Sequence, residues 1–173
     1  LEKAGLILKS NKGGWIDRFR NRIIIPIQNE NGDFIAFGAR AVEEGQNPKY
    51  LNSADSLIYN KSRLLFGLNS AQEAIKAEDA VVIMEGYFDV ISAQAHGVGN
   101  AVASCGTALT PEHVKLLSRY TKSRRIYLSF DTDNAGVNAT KRGSEVIKET
   151  LAALGNVKQF DESHISSVVD NKY

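Results

Sequence analysis

Cysteine is nearly missing from this chain. Cys105 stands alone among 173 residues, which excludes an intrachain disulfide and a cysteine-built zinc site. An excess of one charge is missing too. The 21 Lys and Arg offset 20 Asp and Glu, so the composition is not that of a polybasic or acidic disordered segment, and any basic face is local. No apolar run approaches the ~18 residues that a membrane helix requires. Glu2, Lys3, Lys9 and Lys12 make the opening unlike a signal peptide. A reducing, cytoplasmic setting is expected. Repeats and low-complexity tracts are lacking. The opening Leu-Glu-Lys-Ala-Gly, without methionine, reads as a segment cut from something longer. What is present is a hydrophobic content of 43%, enough for one globular domain or two small lobes.

The residue pattern changes near residues 70–79. Before it, Ile23-Ile24-Ile25-Pro26-Ile27 is a β-branched run with an edge-strand proline. Asn31-Gly32 is a turn signal, and Phe34 to Arg40 returns, so 23–42 is expected to be an antiparallel hairpin. Residues 43–62 read as loop. Leu64 to Phe66 is a short strand candidate, and Asn69 is expected to cap a helix running to Ala77. After the change, Ala80 to Met84 is a continuous apolar strand, Ala101 to Ala103 a second apolar strand, and Arg125 to Phe130 a third strand ended by Asp131. Helices are expected at Tyr87–Ala95, from Thr110-Pro111 to about Tyr120, and from Asn134 to Leu154, where Gly155 stops the last one. Val157–Phe160 is a fourth strand candidate. Alternating strands and helices predict βαβ units and a parallel sheet.

Acids follow two of those strands. Glu85 ends the first, with Asp89 four residues on, and Asp131 and Asp133 end the third. Open α/β sheets bind ligands beyond the carboxyl ends of their strands. Carboxylates gathered there repel one another, and a divalent cation such as Mg²⁺ relieves the repulsion. Helix capping or solvation accounts for any one of these acids alone; two clusters at matching strand ends favour metal. Gly86 and Gly136 allow close backbone approach. In the first half, Arg18, Arg20 and Arg22 alternate, as if on one face of an extended segment. Arg40, Lys49 and Lys61 add positive charge, and Tyr50 offers a stacking surface beside Lys49. An ordinary solvated surface explains these charges equally well. His96, His113 and His164 lack ligand spacing, Trp15 reads as packing, and Cys105 reads as a small buried thiol.

Val82-Ile83-Met84-Glu85-Gly86-Tyr87-Phe88-Asp89, with Phe130-Asp131-Thr132-Asp133-Asn134-Ala135-Gly136, resembles the Toprim domain of primases, topoisomerases and some nucleases. Asp17 to Arg22, Ile25-Pro26-Ile27, Phe37 to Arg40, Pro48 to Ser53, Leu65 to Leu68 and Ala103 to Thr110 narrow the resemblance to the catalytic core of DnaG-type bacterial primases. The resemblance implies an α/β fold: a Toprim-type parallel sheet flanked by helices (79–160), after a smaller mixed α+β lobe with an antiparallel hairpin (1–78); residues 161–173 read as a divergent or truncated tail. It implies metal-dependent synthesis of short RNA primers on single-stranded DNA from ribonucleoside triphosphates. Glu85, Asp131 and Asp133 would be catalytic and would hold Mg²⁺ or Mn²⁺, with Asp89 supporting. Lys49, Tyr50, Asn52, Lys61, Arg20, Arg22 and Arg40 would handle nucleotide and template. A replicative helicase would dock on a region absent from this chain, without a membrane, at bacterial replication forks. The family's third acidic motif, Asp-Gly-x-Asp-Pro-Asp, is not matched: Phe160 is followed by Asp161-Glu162-Ser163-His164. Two other readings stay open. One is strand cleavage, for which Tyr87 lies near the acids in sequence; the other is a module that only senses nucleotides.

Overall fold

The structure is a computed structural model that describes residues 1–155 and the backbone of 165–167. The chain divides into two compact units, residues 1–60 and 61–173.

The first unit is antiparallel. β1 (Ile7–Lys9) pairs with β2 (Trp15–Asp17). β3 (Arg22–Gln28), β4 (Phe34–Ala41) and β5 (Tyr50–Asn52) form a second sheet in that order. The β3–β4 hairpin is the one expected at 23–42, and Pro26 lies on the edge strand, where a missing N–H costs no ladder bond. Its turn is longer than the Asn-Gly signal suggested. The Asn29 side chain accepts from the amides of Asn31 and Asp33, and a bulge sits at Ile27/Gln28. Gly32 takes φ +91° within that loop. Ile25, Ile27, Ala36 and Ala39 are buried. β5 falls in a stretch expected to be loop; it is set by pairing Arg40 with Tyr50 and Gly38 with Asn52.

The second unit begins with a 3-10 turn at Lys61–Arg63. It continues through α1 (Leu68–Glu78), β6 (Ala80–Met84), α2 (Tyr87–Ala95), β7 (Ala101–Ala103), α3 (Pro111–Leu117), β8 (Arg125–Ser129), α4 (Asn134–Ala153) and β9 (Ile165–Ser167). The sheet is parallel, in the order β7-β6-β8-β9. Leu65, Ile75, Val81, Ile83, Leu117 and Leu128 anchor its core. α1, which spans most of the expected boundary at 70–79, packs on β6 and β7 and groups with the second unit by contact.

Two local expectations change. Leu64–Phe66 is not a strand; Phe66 alone bridges to Ala103. Gly67, at φ +80°, precedes α1 in place of Asn69, and a Cβ there would stand 2.8 Å from Val90 Cγ1. Thr110 caps α3, with Pro111 at its first position, as the sequence predicted. The helix is shorter than expected and ends at Leu117. The strand candidate at 157–160 lies outside the described residues, as does the 161–173 tail apart from 165–167. No described helix is long and apolar enough to cross a membrane.

Candidate functional site

β6 is the strand from which the second sheet grows in both directions. The β6-α2-β7 crossover leads to one side and the α3 connection returns β8 to the other. The crevice at such a reversal is where open α/β sheets bind ligands. Parallel register pairs Met84 with Ser129, so Glu85 and the Phe130-Asp131 step leave the sheet side by side. The Asp131 amide donates to Glu85 Oε1 at 3.3 Å. The Glu85 carbonyl accepts from the Cys105 amide at 3.2 Å. Partial burial, and then the charges of Asp131, Asp133 and Asp89, push the Glu85 carboxyl above the ordinary glutamate range, against the Asp131 amide bond that favours its ionised form.

Two of the expected metal ligands are turned onto backbone. Asp133 caps α4, accepting from the Gly136 amide at 2.7 Å. Asp89 accepts from the Gly86 amide at 2.9 Å. This is the capping chemistry that single acids after strands usually serve. Accordingly, among the described residues no three carboxylate, imidazole or thiol groups form a ready metal cage. The donor set is still all oxygen and crowded with negative charge. That suits Mg²⁺, which commonly takes one or two carboxylates and fills its octahedron with water and substrate phosphate. Gly136 makes the acidic loop possible, since a Cβ there would collide with the Asp131 carbonyl oxygen.

A cavity of about 280 Å³ opens beside Glu85. Its walls are the Ser104–Leu109 loop, Phe130 and one face of α4 carrying Ala135, Ala139 and Arg142. The sequence signalled only part of it, through Gly106-Thr107; the α4 face emerges when the helix is docked. Cys105 matches the expected inert thiol, with burial holding it protonated. Tyr87 is 3% exposed and packs edge-on against Phe66 with ring centroids 4.9 Å apart, so it is a core residue and not an accessible nucleophile.

Arg18, Arg22, Arg40 and Lys49 of the first unit lie at or beside β5. Arg40 and Lys49 lie over the Tyr50 ring, at 5.9 and 6.0 Å from its centroid. Arg22 reaches the Lys49 carbonyl at 3.4 Å, and Arg18 donates to the Asn52 carbonyl at 3.0 Å. Arg20 folds back to the Asp17 carbonyl at 2.8 Å. Arg18, Arg20 and Arg22 do not share one extended face, because Asn21 takes φ +52° between them. Residues 1–60 hold eight Lys and Arg against seven Asp and Glu, so the basic character comes from placement and not from net charge. Lys61 belongs to the second unit.

Comparison with known proteins covers most of the chain. Residues 1–72 match the family model "DNA primase catalytic core, N-terminal domain", and residues 82–163 match the "Toprim-like" model. The DNA primase of Synechococcus elongatus is 47% identical over 159 residues, spanning 91% of this chain and 23% of the relative. Among solved structures, the zinc-binding and RNA polymerase domains of the Aquifex aeolicus primase superpose with a TM-score of 0.79 at 39% identity, covering 86% of this chain and 36% of that one. A DnaG primase catalytic domain bound to single-stranded DNA superposes with a TM-score of 0.74 at 36% identity, covering 84% and 44%. The chain spans about a quarter of the length of the curated relatives it matches.

Proposed function

The chain belongs to the family of DnaG-type primases, and from that premise we propose that it supplies the metal-holding part of a polymerase core that makes short RNA primers on single-stranded DNA. The observation that carries this reading is the meeting of Glu85 and Asp131 at the sheet's reversal point, with Glu85 made costlier to ionise by partial burial and then by its acidic neighbours.

Glu85 and Asp131 would hold a divalent cation, Mg²⁺ or Mn²⁺, with Asp133 and Asp89 nearby to complete the charge. When bound, that cation neutralises triphosphate oxygens and lowers the pKa of the attacking 3′-hydroxyl. The chain's own contribution is positioning and fixed charge. Glu85 is fixed from two sides, through its carbonyl by the Cys105 amide and through its carboxylate by the Asp131 amide. Lys61 is assigned to a phosphate of the incoming nucleotide. Lys49, Tyr50, Asn52, Arg20, Arg22 and Arg40 are assigned to template and nucleotide, with the Tyr50 ring stacking on a base and the cations meeting phosphates. Strand cleavage is disfavoured by the burial of Tyr87.

Calorimetric titration of the chain with Mn²⁺ tests the metal assignment. Binding is expected for the native protein and is expected to weaken at least ~10-fold in Glu85→Gln, since a charged ligand is lost. Equal binding by both would remove Glu85 from the site.

A further inference from the structure

The N-terminus of α3 is closed by Thr110 and His113. The His113 amide donates to Thr110 Oγ1 at 3.2 Å, and the Thr110 amide donates to His113 Nδ1 at 3.3 Å. A capping box of this kind ordinarily uses Glu or Gln at the fourth position, which is enough to satisfy the cap amide. Histidine adds something an ionised carboxylate lacks. With Nδ1 accepting, the network assigns the proton to Nε2, and Nε2 donates to the Lys61 carbonyl at 3.1 Å. The Thr110 hydroxyl donates to the next carbonyl, that of Ser62, at 2.7 Å. Two successive carbonyls of the Lys61–Arg63 turn are thus fastened to one helix cap almost fifty residues away in sequence. His113 is fully buried, so its ring has no solvent alternative. Downstream, the Phe66 amide donates to the Ala103 carbonyl at 2.8 Å and fixes the far side of the segment.

Resting on the assignment of Lys61 to nucleotide phosphate, we infer that Thr110 and His113 are positioning residues: they clamp the backbone at Lys61 and so set how tightly the incoming triphosphate is held. The clamp acts on binding and not on the chemical step. Its removal raises KM for nucleotide and leaves kcat nearly unchanged.

Steady-state priming by the whole protein that carries this chain tests the clamp. His113→Asn keeps an acceptor at the Nδ1 position for the cap but loses the donor to Lys61. His113→Gln places an amide donor at the Nε2 position. His113→Asn is expected to raise nucleotide KM roughly 5–10-fold with kcat within about twofold, and His113→Gln to restore most of the affinity. In a Lys61→Ala background, His113→Asn is expected to add nothing further. Thr110→Ala, tested beside Thr110→Ser, gives the same contrast should His113→Asn fold poorly. Equal impairment by Asn and Gln, or a fall in kcat that tracks melting temperature with KM unmoved, would show a merely structural cap and overturn the inference. If Lys61→Ala raises KM while neither His113→Asn nor Thr110→Ala does, the clamp fails and the nucleotide site stands. If Lys61→Ala leaves KM unchanged, both fail.

Discussion

The two units put polar function in different places. In the second, β7 is buried throughout and the core of β6 and β8 is closed under helices. The carboxylates of the site stand past the ends of β6 and β8, where the strands leave the core. In the first, Ile25, Ile27, Ala36 and Ala39 are buried while Ile23, Ile24 and Tyr50 stay more than 40% exposed. An antiparallel sheet with a solvated face displays its Arg, Lys and Tyr along the strands. The proposed site in the parallel unit therefore rests on a few over-determined positions, whereas that in the antiparallel unit is spread over many replaceable ones.

The sharpest way to break that contrast is Glu85→Gln. Priming by the whole protein is expected to fall roughly 10³-fold, with affinity for single-stranded DNA within about twofold. The same variant, without metal, is expected to melt slightly above the native protein at neutral pH. A carboxyl whose folded pKa is raised adds stability below its unfolded pKa, and that stability is lost as pH rises through the folded value. Next, Ile83→Ala, at a fully buried position, should cost about 3–4 kcal/mol in denaturant melts, whereas Ile23→Ala, at a half-exposed one, should cost under ~1 kcal/mol. Gly136→Ala should cost about 2 kcal/mol and depress Mn²⁺ binding, because the Asp131 turn must open. Lys49→Ala should weaken single-stranded DNA binding only a few-fold and reduce the salt slope by about 0.7. A loss from Lys49→Ala as large as that from Glu85→Gln would end the distinction between concentrated and spread function.

The smallest effect is one of pH. Burial lowers the His113 pKa from its ordinary 6.5, although the carbonyls of Lys61 and Leu64 and the charge of Glu112 oppose the shift. The unfolded chain therefore takes up a proton first. The stability that His113 contributes is complete above about 6.5 and declines as pH falls toward its folded value. His113→Gln should flatten that part of the melting profile.

The sequence was most legible where local and long-range forces agree. β6 and β7 are continuous apolar runs and α2 follows directly on the Glu85-Gly86 break, and the bounds of all three were predicted from the residues alone. β1 and β2 were not, because Trp15, Ile16 and Asp17 are all exposed and leave no inside-outside alternation to read. β5 exists only through its pairing with β4. At the site, the location of each acid was legible, but its direction was not. Asp133 and Asp89 choose between a cation and a nearby amide, and a string of residues does not fix that choice. His113 was passed over because its partner lies 52 positions away.

Glu85 is tied by its carbonyl to the loop after β7 and by its carboxylate to the turn after β8. One residue thus joins three strand tips: the tip after β7 bears on its carbonyl oxygen and the tip after β8 on its carboxylate. An insertion in the turn after β8 would slacken the tether on the carboxylate and let it swing, whereas one in the loop after β7 would loosen the backbone that carries it. Loop length on this rim thereby bears directly on where the carboxylate points.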